Sequence, residues 1–319
     1  MITTSSAAHV GVMYRRHRPP EDLVACARLV ELEGFDELWV VEDCFWAGGM
    51  TAASVALAVT TRLQVGFGIA PAVARNAAVT AMDVAGLART FPGRLVFGVG
   101  HGVADWMRQI GAFPASQLAA LEETIDAVRR LLAGERVSTS GRHVHLDDVQ
   151  LVFPPDPAPP VLVGATGPRS LDVAARVADG LMLPEASSPA FVRAAIDRGA
   201  AGRVSTPDCP PRCAVYVLFA VDDDAAVARG AVAEAVDVFA PGPGDQRLAL
   251  LGVDPGDVAP PGSAARIDRF AVAGTAHDCA AAIRRLIEAG ATSVVLVPHG
   301  DEDEQIRRAA REVLPLVRG

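Results

Sequence analysis

Lysine is absent: all 29 basic residues of this 319-residue chain are arginines, scattered along it and outnumbered by 38 acidic residues. The formal charge of −9, with no basic cluster, argues against nucleic acid as a partner. Aromatic residues make up only 5% while half of all residues are hydrophobic, so a core must come from Ala, Val, Leu and Ile. That mixture suits parallel strands covered by Ala-rich helices. No apolar run reaches the roughly 20 residues needed to span a bilayer, and residues 1–9 are polar and lack a signal-peptide hydrophobic segment. A cytoplasmic protein without membrane contact is expected. The five cysteines, Cys26, Cys44, Cys209, Cys213 and Cys279, are odd in number, widely spread and free of C-x-x-C spacing, so reduced thiols are expected. His143 and His145 alternate without a carboxylate partner, which is poor zinc chemistry, and no metal is expected.

What the chain does have is alternation. Short β-branched runs at 9–14, 35–41, 63–69, 94–100, 161–165, 180–184 and 293–298 are separated by amphipathic stretches, among them 20–33, 77–90, 115–133, 223–239 and 276–289. This order is that of consecutive β-α units with parallel strands. Either 214–221 or 270–273 is the seventh strand, with the other accessory. The segment 136–153 alternates around Ser140-Gly141 and reads as a β-hairpin excursion. The length allows two ordinary domains or one large barrel. The strand count favours a single α/β domain over 1–319, a (β/α)8 TIM barrel with the hairpin as an insertion.

In such a barrel the active site lies at the C-terminal ends of the strands. Those ends here read Glu42-Asp43-Cys44-Phe45-Trp46, Gly66-Phe67-Gly68-Ile69-Ala70, Gly98-Val99-Gly100-His101-Gly102, Gly164-Ala165-Thr166-Gly167 and Pro184-Glu185. Glycine weakens a strand, so glycines at several neighbouring ends imply a close approach to the backbone, with a flat ring and a phosphate as the expected occupants. Gly164 to Pro168 precedes a helix whose first amides form an anion site, with Arg169 beside it; a plain tight turn reads equally well. The run at 98–102 is no dinucleotide fingerprint, since that would need glycine at Val103. Trp46 and Trp106 either wall a pocket or pack under a loop, Arg75 and Asn76 either meet an acidic ligand or only fix their loop, and His299 ends the last strand as a cap or at the mouth.

Taken together, Leu38-Trp39-Val40-Val41-Glu42-Asp43, Thr61-Arg62-Leu63-Gln64-Val65-Gly66, Phe91-Pro92-Gly93-Arg94-Leu95-Val96-Phe97-Gly98-Val99-Gly100 and Ala178-Asp179-Gly180 resemble the bacterial luciferase-like superfamily. Within it the chain is similar to the F420-dependent reductases related to methylenetetrahydromethanopterin reductase. The resemblance implies coenzyme F420, or alternatively FMN, at the barrel mouth, a cis peptide at Gly68–Ile69 in a bulge of the third strand, a small-molecule substrate and a homodimer. The cofactor contacts it implies are Gly68, Ile69, Gly98, Gly100, His101, Gly102, Ala165, Thr166, Gly167, Pro184 and Glu185. One departure stands out: many members carry Asp-His after the second strand, where this chain has Glu42-Asp43. A carboxyl pair can share a proton, so Glu42, Asp43 and His101 are the catalytic candidates; ion pairing of Glu42 or Asp43 with an arginine is the competing reading. The expected activity is hydride transfer between F420 and a substrate bearing C=C, C=N or C=O. An FMN-dependent monooxygenase and a catalytically inactive flavin- or ligand-binding barrel are the alternatives.

Overall fold

The computed structural model describes residues 8–200 and 211–319, so residues 1–7 and Cys209 lie outside it. Its strands are β1 (His9–Tyr14), β2 (Glu37–Val40), β3 (Gln64–Pro71), β4 (Leu95–Gly100), β5 (Val137–Ser140), β6 (His145–Val149), β7 (Val161–Gly164), β8 (Gly180–Leu183), β9 (Arg212–Val221), β10 (Ala271–Gly274) and β11 (Ser293–Pro298). Parallel pairing runs β11-β1-β2-β3-β4-β7-β8-β9 and returns from β9 to β11, which closes an eight-stranded barrel with helices outside. The antiparallel pair β5-β6 is the expected hairpin. Glu123, on the helix Gln117–Leu132, pins its tip by accepting hydrogen bonds from the amides of Arg142, His143 and Val144 at 3.0, 2.8 and 3.0 Å.

The ambiguity over the seventh strand is resolved by length. β9 pairs with β11 over 214–219 on one edge, and shares its other edge between β8 at 212–215 and β10 at 218–221. β9 is therefore the barrel strand, and β10 is an accessory strand beside its upper half. Sequence reading missed the short helix Ala104–Gln109 in the Trp-bearing segment and the helix Ala264–Phe270 ahead of β10.

Local chemistry starts the helices where the sequence changes character. Asn76, Ser116, Asp224, Asp245, Ser263 and Asp301 each accept a first-turn amide, and Thr275 with Asp278 forms a reciprocal capping box. Arg75 and Asn76 thus divide: Asn76 fixes the loop as a cap. Gly180 is needed where β8 meets β9, since a Cβ there would lie 2.0 Å from the carbonyl oxygen of Arg212.

Inside the barrel, period-two alternation sends Trp39, Val96, Leu162, Met182, Ala214, Tyr216, Val295 and Val297 to one shared cluster. Trp39 lies over Gly66, where a Cβ would come within 2.1 Å of the indole, and meets the Tyr216 ring edge-on at 5.8 Å. Below it, at the N-terminal ends of the strands, the buried Glu37 accepts hydrogen bonds from Trp39 Nε1 at 2.7 Å and Ser293 Oγ at 2.5 Å and pairs with His9 Nδ1 at 2.8 Å. Burial raises a carboxyl pKa, but these bonds outweigh it and hold Glu37 below its ordinary 4.5, while the bond to Glu37 lifts His9 above 6.5 against the opposing effect of burial.

The Glu37 contribution to stability is complete above its ordinary pKa and lost as pH falls through the depressed one. The His9 contribution is complete below its ordinary pKa and lost as pH rises through the raised one. Glu37→Ala is expected to cost about 3–5 kcal/mol in urea unfolding, with the largest difference from the parent between pH 4.5 and 6.5. A difference that does not vary with pH would refute the charged pair.

Candidate active site

The C-terminal strand ends surround a cavity of about 900 Å³. Its floor is the top of the interior cluster: Met13, Ile69, Met182, Tyr216 and Val297. One end is formed by Gly164, Ala165, Thr166 and Gly167 after β7, followed by Arg169 and Ser170 in the first turn of the helix Pro168–Val177, for which Gly167 is the N-cap. The first amides of a helix have no intrahelical acceptor, and its dipole favours an anion there. Arg169 makes no ion pair among the described residues.

Among the described residues, three buried polar atoms of the cavity lining have no hydrogen-bond partner: Tyr216 Oη, His101 Nδ1 and His299 Nε2. Buried polar groups are normally satisfied, so these atoms are open to a further hydrogen bond from within the cavity. His101 is oriented by its Nε2, 2.8 Å from Ser170 Oγ. Burial lowers the His101 pKa, and burial, reinforced by Arg15 and His17, lowers that of His299 to about 4. Burial also raises Tyr216 well above 10. Both imidazoles are thus neutral near pH 7 and the phenol keeps its proton.

The far end of the cavity is a charged and aromatic rim. Arg16 donates to Asp43 at 2.9 Å and sits 4.7 Å from the centre of the Trp46 ring, which lies 5.9 Å from Trp106. Phe45 and Trp46 are exposed, and the Cys44–Phe45 peptide is cis. A second non-prolyl cis bond lies at Gly68–Ile69, where the β3–β4 register shifts between Phe67 and Ala70 to form a bulge.

A model of the luciferase-like monooxygenase family matches residues 1–293. The chain belongs to that family. It is 28% identical to a 5,10-methylenetetrahydromethanopterin reductase from Methanolobus tindarius, over 95% of this chain and 99% of that one. It is 27% identical to an F420-dependent glucose-6-phosphate dehydrogenase from Microbacterium testaceum, over 94% of each. The fold matches the coenzyme F420 dependent tetrahydromethanopterin reductase from Methanopyrus kandleri with a TM-score of 0.83 and 22% identity, over 97% of this chain and 99% of that one.

Set against this luciferase-like barrel, the strand-end residues divide into two groups. Asp43, Gly68, Ile69, His101, Ala165, Thr166, Gly167, Pro184 and Glu185 all line the cavity. Glu42, Gly98, Gly100 and Gly102 do not. Glu42 is held by both terminal nitrogens of Arg75, Nη2 at 2.7 Å, and accepts the amide of Gly49 at 3.0 Å, at the start of the helix Gly49–Val59. Glu42 thus makes the arginine pair that was the competing reading of it, and its carboxylate holds the start of that helix outside the cavity lining. The close approach implied by the glycines is real, but the protein's own side chains make it. A Cβ on Gly98 would lie 2.2 Å from Met182 Sδ, one on Gly100 2.2 Å from Ile69 Cδ1, and one on Gly102 2.8 Å from Pro71. The Gly167 backbone is approached by Gln246, whose Oε1 would be 1.6 Å from an added Cβ. Tyr216 was not singled out from the sequence. Its signal was there in period two: with Tyr216 and Leu218 on one face of β9, the tyrosine belongs to the barrel interior.

Two outcomes are expected from these contacts. Glu42→Gln should cost about 1.5–3 kcal/mol, the worth of hydrogen bonds to a charged group, and leave cofactor binding intact; loss of binding in a stably folded variant would return Glu42 to the site. Gly100→Ala should cost about 1–3 kcal/mol by overpacking. Adding Ile69→Val removes the clashing Cδ1, so the double variant should be more stable than Gly100→Ala alone. Simple addition of the two losses in denaturant melts would show that Ile69 is not the obstacle.

Proposed function

We propose that this chain is an F420-dependent oxidoreductase that moves a hydride between the cofactor and a small organic substrate bearing C=C, C=N or C=O. The observation that carries the reading is the pairing, in one cavity, of an anion-ready helix start with unpartnered donors on an apolar floor. The names of its relatives point the same way. F420 is a flat deazaflavin with a phosphate-bearing, acidic tail, and the residues present fit it. Thr166, Gly167 and Arg169 meet negative charge at the end of the cavity. Gly68, Ile69, Ala165 and Pro184 supply close, apolar walls, and Tyr216 Oη and His101 Nδ1 are polar atoms without a hydrogen-bond partner among the described residues.

When bound, F420 supplies a ring carbon that gives or accepts a hydride with its two electrons; the protein positions, shields and protonates. Neutral His101, fixed by Ser170, can donate or accept a hydrogen bond without bringing a charge into the cavity. Tyr216 remains a donor because burial keeps its proton on. Trp46 and Trp106, braced by the Arg16–Asp43 pair, narrow the mouth against water where a substrate enters.

Chain purified from an F420-producing host should retain a deazaflavin identified by absorbance and mass. Under anaerobic conditions it should exchange a hydride between that cofactor and one or more members of a C=C, C=N and C=O panel. Arg169→Ser should weaken F420 binding about tenfold, as expected for one charge-assisted contact. Retention of FMN with oxygen consumption by FMNH2 and no affinity for F420 would make the chain a flavin monooxygenase instead.

A further inference from the structure

Of the carboxyl groups near the mouth, most are already committed. Glu42 is held by Arg75, Asp43 by Arg16, and Glu302 takes hydrogen bonds from Arg15 at 3.3 Å and from His17 at 2.8 Å. Glu185 is different. It lies two residues beyond β8, lines the cavity, is partly buried, and makes no ion pair among the described residues.

Its placement is rigid. The buried Arg247, itself clamped by Asp245 at 2.8 Å, donates to the carbonyls of Glu185 at 3.2 Å and Ala186 at 3.3 Å. Ser187 Oγ closes the turn onto the Pro184 carbonyl at 2.7 Å, and Ala186 takes the left-handed φ of 57°. These bonds fix the backbone from which the Glu185 side chain enters the cavity.

We infer that Glu185 is the acid–base residue of the site: presented into the cavity by the Arg247-anchored turn and free of an arginine partner, it gives the substrate the proton that accompanies hydride addition, and removes it in the reverse direction. The inference rests on the oxidoreductase reading above. In the reducing direction a hydride from the reduced cofactor forms a C–H bond at one end of the substrate double bond. The π pair moves to the other atom, and that atom takes the proton from the Glu185 carboxyl. The substrate gains two electrons and two hydrogens, the cofactor is oxidised by two electrons, and solvent reprotonates the Glu185 carboxylate.

The surroundings suit the role. Burial pushes the Glu185 pKa up, and Asp43, facing it from the loop after β2, pushes the same way; its own amide and then Arg15 and Arg16, after β1, oppose without cancelling. Tyr216 faces it from β9 and stays protonated, and His299, after β11, stays neutral. Burial keeps His101 and His299 neutral near pH 7, Tyr216 holds its proton too tightly, and His17 is already paired with Glu302 at 2.8 Å, which leaves Glu185.

The test uses the full chain with Glu185→Gln and Glu185→Asp. Infrared titration of the cofactor-free protein should show a protonated carboxyl band that persists above the ordinary glutamate range in the parent and is missing from Glu185→Gln. With F420 loaded, Glu185→Gln should lose about 100-fold or more in kcat, with KM and F420 affinity within about threefold, and Glu185→Asp should recover part of the loss. In the parent, kcat should fall with rising pH for substrate reduction and rise for the reverse reaction, and both limbs should vanish in Glu185→Gln. Absence of the band from the parent, or a Glu185→Gln kcat within threefold of it, overturns the assignment. Failure of the chain to bind F420 sinks the cofactor reading instead, and the infrared band reports on Glu185 regardless.

Discussion

The narrow interior of an eight-stranded parallel barrel has to be filled by side chains from its own strands, and here it is filled by matching large residues to glycines on neighbouring and facing strands. Trp39 of β2 occupies the space over Gly66 of β3, Met182 of β8 that over Gly68 and Gly98, and Ile69 that over Gly100. Tyr216 closes the set edge-on to Trp39. This interdigitation fills the barrel beneath the C-terminal mouth, and the side chains that fill it are also the floor of the cavity. A methyl group added at one of these glycines therefore acts on packing and on the floor of the site together.

The barrel also shows one residue type in two electrostatic settings. At the lower end Glu37 is buried among Trp39, Ser293 and His9, whose hydrogen bonds outweigh the cost of burying its charge, and it stays ionised. At the upper end Glu185 has only its own amide as a donor against burial, Asp43 repels it, and its proton is held more tightly. The contrast follows from donors, not depth: a carboxylate surrounded by hydrogen-bond donors is a structural anion, and one without them is a group that can exchange a proton.

Much of the architecture was legible in the sequence because it rests on local and periodic signals. Alternating β and α segments, capping residues such as Asn76 and Ser116, and the Ser140-Gly141 turn each act over a few residues. The strand ends were legible for the same reason, and they brought the eye to His101, Gly167 and Glu185. Less legible was what each strand-end residue faces. Gly98 and Gly100 looked like room for a ligand, but the neighbours that take up that room come from β8 and from the bulge of β3, distant in sequence or displaced by one residue of register. Glu42 and Asp43 looked like one acidic pair, yet in the loop after β2 they take different partners. Glu42 turns to Arg75 and the next helix, whereas Asp43 turns to the cavity.

By itself, then, the sequence determined the order and type of most elements, the parallel barrel they build and the ring of loops in which chemistry can occur, since these depend on periodicity and on residues near one another in the chain. Tertiary structure decided the rest: that β9 and not β10 completes the barrel, that Tyr216 reaches the cavity floor, that Arg75 claims Glu42, and that Arg247 aims the turn carrying Glu185. Each is a contact between segments far apart in sequence, set by which side of a strand a residue occupies and which partner the closed barrel brings opposite it.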